Sequence, residues 1–158
     1  MGNLSEIDKT VIPWLGKASK NIDYYIADCL SLKGIELTKV QLILLRKLAE
    51  NDGQPQHNLA FLTNRDKASL ARLLSTMEKK GLVKREVFEN DRRINHVYIT
   101  SFGKNILNEA LPLILEIIDT IQLEISDSEL KTTIQVLKKI GKNIQTKELM
   151  ASLNHQKI

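Results

Sequence analysis

The 158-residue chain has the usual size of a single domain, and its 42% hydrophobic content is enough to bury a core in water. One cysteine, Cys29, excludes an internal disulfide and a cysteine-based zinc site. The N-terminal MGNLSEIDKT has no basic flank leading into an apolar run, and the longest apolar stretches are interrupted by polar residues, so a soluble, cytoplasmic protein without a membrane partner is expected. The net charge is +4, from 23 Lys/Arg and 19 Asp/Glu. Nine of the basic and five of the acidic residues lie between Gln54 and Gly103, so that segment carries the whole excess and the remainder is formally neutral. A basic segment on a neutral body is the footprint of phosphate contact.

From Ser5 to Leu32, apolar residues recur at three- and four-residue spacings (Leu4, Ile7, Val11, Leu15, Ala18, Ile22, Tyr25, Ile26, Cys29), which predicts an amphipathic helix. Pro13 either kinks it or marks its start after a loose first turn, and Gly34 ends it. Thr38-x-x-Gln41 has capping-box spacing ahead of the apolar run Val40 to Ala49, which predicts a second helix to about Asn51. Asp52-Gly53-Gln54-Pro55 supplies turn chemistry, and Gln56 to Leu62 has room for a brief third helix. A fourth helix, Asp66 to Lys80, carries its apolar stripe on Leu70, Leu73, Leu74 and Met77, with Lys67, Ser69, Arg72, Ser75 and Thr76 largely off it. Gly81 ends that helix.

The period then changes. Leu82 to Phe88 and Asn95 to Thr100 are rich in Val, Ile, Tyr and Phe and flank the charged loop Glu89-Asn90-Asp91-Arg92-Arg93, a two-stranded hairpin with a charged tip. Two further helices follow, the first containing Pro112, which should bend it, and the second opening with the capping box Ser126-x-x-Glu129. The last residues are expected to be weakly ordered. The fold class is therefore mainly α with a small β-hairpin wing: a winged helix-turn-helix domain attached to a helical region.

In that plan the last helix before the wing enters the major groove of DNA. Lys67, Ser69 and Arg72 occupy its first two turns, a mixture of phosphate-reaching cations and short hydroxyls, and Arg72 suits guanine. Thr38 and Arg65 complete the candidate contacts on the helical side. Arg92 and Arg93 at the hairpin tip suit the focused negative potential of a minor groove. Lys79, Lys80, Lys84 and Arg85 read as structural charges, the first two of them suited to the helix end.

The run Leu37-Thr38-x-x-Gln41, Asp66-Lys67, Arg72-Leu73, Glu78-Lys79-Lys80-Gly81-Leu82-Val83-x-Arg85, Asp91-Arg92-Arg93 and Ile99-Thr100-x-x-Gly103 resembles the MarR family of bacterial regulators over about sixty-five residues. The resemblance implies a homodimer joined through the terminal helices, with a dimerisation helix at 1–34, the winged domain at 35–103, C-terminal dimerisation helices at 104–150 and a tail at 151–158. It implies a pseudo-palindromic double-stranded DNA operator and a role as a transcriptional regulator, a repressor rather than an activator, relieved by a small-molecule effector. It also implies that Asp66 steadies the wing by pairing with Arg93, which leaves open whether Arg92 or Arg93 enters the groove. Ala68 and Ala71 depart from the family pattern, where many relatives carry a hydroxyl.

Other candidates have two readings each. Trp14, Tyr24 and Tyr25 line a ligand pocket or pack in the dimer core. Cys29 is a small helix-stripe residue or, by resemblance to the organic hydroperoxide branch, a redox sensor. His57, His96 and His155 are scattered, and no metal site, cofactor or catalytic constellation is expected, so the chain reads as a non-enzyme. Alternative functions are a winged-helix protein-interaction module and a thiol-based redox-sensing regulator using Cys29.

Overall fold

A computed structural model describes the backbone of residues 4–63, 67–88 and 91–155; the side chains of 4, 5, 61, 63, 87, 88, 91–94 and 146–155 are outside the description. The described elements are a 3-10 turn at Leu4–Lys9, α1 (Val11–Leu32), α2 (Lys39–Glu50), β1 (Gln54–Pro55), a 3-10 helix at Gln56–Thr63, α3 (Lys67–Lys79), β2 (Val83–Phe88), β3 (Asp91–Ile99), α4 (Ser101–Ile121) and α5 (Asp127–His155). The chain divides into two compact units, residues 1–121 and 122–158.

The helix expected from Ser5 is broken at Thr10, and Pro13 falls in the first turn of α1, where its missing N–H costs no helical bond. The Thr38 capping box forms as expected: the Thr38 hydroxyl accepts the Gln41 N–H at 3.3 Å, and the Gln41 side chain accepts the Thr38 N–H at 3.0 Å. α3 closes with a Schellman motif, in which Leu82 N–H donates to the Met77 carbonyl and Gly81 N–H to that of Glu78, both at 2.9 Å. α4 continues through Pro112, which withholds one helical donor. In the second unit, Ser126 and Glu129 cap α5 reciprocally, with Ser126 N–H donating to the Glu129 carboxylate at 2.9 Å. α5 itself reaches His155, into the segment expected as a tail.

The wing differs from a simple hairpin. Gln54 and Pro55, expected as turn residues, form a third, edge strand antiparallel to β3, pairing with Val97 and His96, in the order β1-β3-β2. Proline is tolerated there because an edge strand needs no donor on its outer side. β3 also starts earlier than expected, at Asp91 rather than Asn95. Its ladder with β2 is regular from Val83↔Ile99 to Val87↔Asn95 and then jumps to Phe88↔Asp91, so Arg92, Arg93 and Ile94 are looped out of the pairing.

The core of the first unit is built where α2, α3, the sheet and α4 meet. Leu44, Leu45, Leu48, Leu74, Met77 and Val97 are fully buried, with Leu30 of α1 and Leu107 of α4 added at the margin. Each such side chain contributes about 1.5–3 kcal/mol by leaving water. Close approach of α4 to the wing depends on Gly103: a Cβ there would lie 2.1 Å from the Leu82 carbonyl oxygen. Asp23 of α1 pairs with Lys39 at the start of α2. No helix among the described residues is long and apolar enough to cross a membrane.

Candidate nucleic-acid interface

α3 buries Leu70, Leu74 and Met77 and turns Lys67, Ala68, Arg72 and Thr76 outward. Helical spacing forces this division, because the outward residues 68, 72 and 76 repeat every four positions while the apolar stripe holds the facing side. Arg72 Nε donates to the Ala68 carbonyl at 3.4 Å, which lays the guanidinium back along the helix toward its N-terminal end. Thr76 Oγ1 donates to the Arg72 carbonyl at 3.0 Å. Ser69 is half-buried beside this face. Arg65 and Asp66 lie outside the described residues.

The wing is fastened to α3 by a cluster the sequence did not single out. Glu78 accepts the Arg85 backbone N–H at 3.0 Å, Arg85 Nε at 3.0 Å and Arg85 Nη2 at 2.6 Å, and the same Nη2 donates to Ser75 Oγ at 3.2 Å. The hydrogen bond from Arg85 holds the Glu78 carboxyl below the usual carboxylate range, against a smaller opposing effect of burial. Arg85 therefore serves to set the angle between β2 and the last turn of α3. Beside it, Lys84 bonds Glu86 at 2.5 Å, which raises the lysine's pKa, and its ammonium lies 5.5 Å from the centre of the Tyr98 ring. Lys80, expected to act at the helix end, donates instead to the Glu36 carbonyl at 2.9 Å in the α1–α2 connection.

A second strut holds the other edge of the sheet. Asp52 Oδ1 accepts Gly53 N–H at 3.0 Å and, across the sequence, Ile99 N–H at 2.9 Å. His96 Nδ1 lies 2.9 Å from the Gly53 carbonyl, a contact that requires the proton on Nδ1. Gly53 has φ +67°, and a Cβ on it would meet the Tyr98 ring at 2.8 Å, so this turn admits no side chain. Asp52 and Gly53 read as turn residues in the sequence; nothing local indicates that they also anchor β3.

Arg92 and Arg93 belong to the backbone of β3, in the looped-out stretch, so both stand at the wing's far end. Their side chains, and the expected Asp66–Arg93 pair, lie outside the described residues. The Thr38 hydroxyl is engaged in its cap at the start of α2. Trp14 and Tyr24 are 63% and 60% exposed on α1, with Tyr25 at 40%, and Cys29 is half-buried. Cavities among the described residues of the first unit include the following pair. One, of about 320 Å³, is lined by Lys33, Ile35, Glu109, Pro112, Leu113 and Glu116; the other, of about 250 Å³, by Gly34, Glu36, Leu37, Lys80, Leu82, Phe102 and Ile106. Trp14, Tyr24 and Tyr25 line neither. Among the described residues no group of three or more His, Cys, Asp or Glu is placed to hold a metal ion.

The MarR family profile matches residues 37–94, the span that holds α2, α3 and most of the wing. The transcriptional regulator HosA of Escherichia coli O157:H7 is 32% identical over 105 residues, covering 66% of this chain and 78% of that protein. HosA of E. coli O111:H- is 38% identical over 78 residues, covering 49% of this chain and 58% of its own length. Among solved structures, a probable transcriptional regulator from Pseudomonas aeruginosa is 25% identical with a TM-score of 0.75, over 85% of this chain and 98% of that one. The fold is also that of a cysteine-to-serine mutant of MarR from E. coli complexed with operator DNA, at 21% identity and a TM-score of 0.78, over 88% of this chain and 99% of that one. With the winged-helix geometry, the matched α2-to-wing span and a relative covered over most of its length, this chain belongs to the MarR family of transcriptional regulators.

Proposed function

We propose that the protein acts as a homodimeric, sequence-specific DNA-binding repressor that places α3 in the major groove and the β2–β3 tip beside the minor groove. The observation that carries this reading is the outward face of α3, with Lys67 and Arg72 exposed, held at a fixed angle to the wing by the Glu78–Arg85 cluster. That face and the wing lie in the segment holding the chain's whole positive excess. The operator is pseudo-palindromic, with half-sites roughly one helical turn apart, because a two-fold dimer presents its two recognition helices that way. The HosA relatives carry the name of transcriptional regulators, which supports the same role.

The partner for dimerisation is a second copy. α1, α4 and α5 each leave large apolar side chains in water, including Ile12 and Trp14 on α1, Leu115 on α4 and Ile134 on α5. Single exposed apolar residues are ordinary, but repeated ones within each unit favour a covered face on each. Trp14 and Tyr24 fit that interface better than a cavity within one protomer. A small effector acts by favouring a spacing of the two DNA-binding lobes that no longer matches successive major grooves. The protein works in the cytoplasm, where its DNA is.

The test is retardation of promoter DNA over a range of salt. Arg92→Ala and Arg93→Ala should each weaken binding, and whichever contacts phosphate should reduce the salt slope by about 1. Unchanged affinity and slope in both variants would remove the wing from the mechanism.

A further inference from the structure

We propose that each half of the operator contains a thymine and a guanine one or two base pairs apart, read together by the Ala68 methyl and the Arg72 guanidinium. The inference rests on the DNA-binding reading above and names what that site recognises.

Three observations lead to it. First, Ala68 and Arg72 are both exposed and stand one turn apart on the outward face of α3, at its N-terminal half, the part of a recognition helix that meets base edges. Second, the Arg72 Nε bond to the Ala68 carbonyl directs the guanidinium back toward Ala68, so that methyl and guanidinium form one continuous patch. Third, the hydroxyls next to Arg72 are turned toward the protein: Ser75 is half-buried and accepts from Arg85, and Thr76, one turn further along, donates its proton to the Arg72 carbonyl. Among the described residues, the exposed side chains at this end of the helix are Lys67, Ala68 and Arg72, with Ser69 half-buried beside them, so one methyl and one guanidinium face outward together and Lys67 serves phosphate.

The chemistry of the major groove then selects the bases. A guanidinium pairs in a bidentate fashion with guanine O6 and N7, while a bare methyl finds its complement in the thymine C5-methyl and offers nothing to the cytosine amino group. Residues four apart on a helix are separated by about 6 Å, against a base-pair rise of about 3.4 Å, and the backward lean of Arg72 shortens the interval. The two bases therefore lie one or two steps from each other.

The experiment selects bound duplexes from a randomised library with the full-length protein, then measures affinity for the selected site with each thymine replaced in turn by uracil, which removes only the methyl. One thymine per half-site should lose roughly threefold to fourfold in affinity as uracil. That loss should vanish in Ala68→Gly, which reads thymine and uracil alike. Arg72→Ala should abolish preference for a guanine one or two positions away, by roughly tenfold or more. Equal uracil sensitivity in wild type and Ala68→Gly, or an undiminished guanine preference in Arg72→Ala, overturns the inference while leaving DNA binding intact. A library from which no sequence is enriched overturns the DNA-binding reading itself and this inference with it.

Discussion

Glu78 and Arg85 meet because the Schellman turn at Gly81 folds β2 back along the last turn of α3. The side chains are 37% and 26% exposed, and Nε and Nη2 of Arg85 converge on Oε2 of Glu78 while Oε1 takes the Arg85 backbone N–H, so the pair sits above the usual surface ion pair. Arg85→Ala should lower stability by about 1 kcal/mol, and amide exchange should rise along β2 and β3 before it rises in α2. The pH dependence has a definite sign. Because Arg85 lowers the folded-state pKa of Glu78, the stabilisation is complete above the ordinary carboxylate range and is lost as pH falls through the lowered value. Unfolding free energy measured against pH should therefore show wild type losing its advantage over Arg85→Ala as pH falls from the ordinary carboxylate range through the lowered Glu78 value, the two converging at the acid end. Curves that stay parallel would show that the pair contributes no proton-linked stability.

At the scale of elements, the two capping boxes were readable as four-residue spacings because each is a local bargain between one side chain and nearby backbone donors. Thr38 carries a second expectation, contact with DNA, and its hydroxyl separates the two roles. Thr38→Ala should lower the melting temperature by about 2–4 °C through loss of the cap, worth about 1 kcal/mol. Thr38→Ser should restore melting, since serine caps as well. Operator affinity that recovers in Thr38→Ser together with stability assigns the residue to the cap; affinity that stays low in a fully stable Thr38→Ser variant assigns the lost methyl a place at the DNA. The short strand β1 and the early start of β3 escaped the sequence for a related reason. Gln54-Pro55 has no strand pattern of its own and is held against β3 by non-local contacts, from Asp52 to Ile99, forty-seven residues away, and from Gly53 to His96.

At the scale of the whole molecule, the proposed homodimer is the element that would cover the apolar residues a single chain leaves in water. Leu115 on α4 is 62% exposed in the isolated protomer. Leu115→Glu should leave the winged-helix core intact, because that core is built from other residues, yet place a charge in the proposed dimer interface. Sedimentation should then show monomers at concentrations where wild type is dimeric, with secondary structure preserved and operator affinity strongly reduced. A Leu115→Glu dimer of wild-type strength would move the interface away from this face of α4.

The sequence by itself determined the helix order, the caps, the wing's existence, the basic segment and the family resemblance, because each rests on local periodicity, short-range spacing or charge count. Only the tertiary structure decided how the wing is held. Glu78 with Arg85, Asp52 with Ile99, Gly53 beneath Tyr98 and Gly103 against Leu82 join residues whose proximity depends on a completed chain path. It also sorted the hydroxyls of α3, since the half-buried Ser75 accepts from Arg85 of the wing while Thr76 donates within its own helix. Local rules fix which elements form; the non-local hydrogen bonds fix the angles at which those elements meet one another.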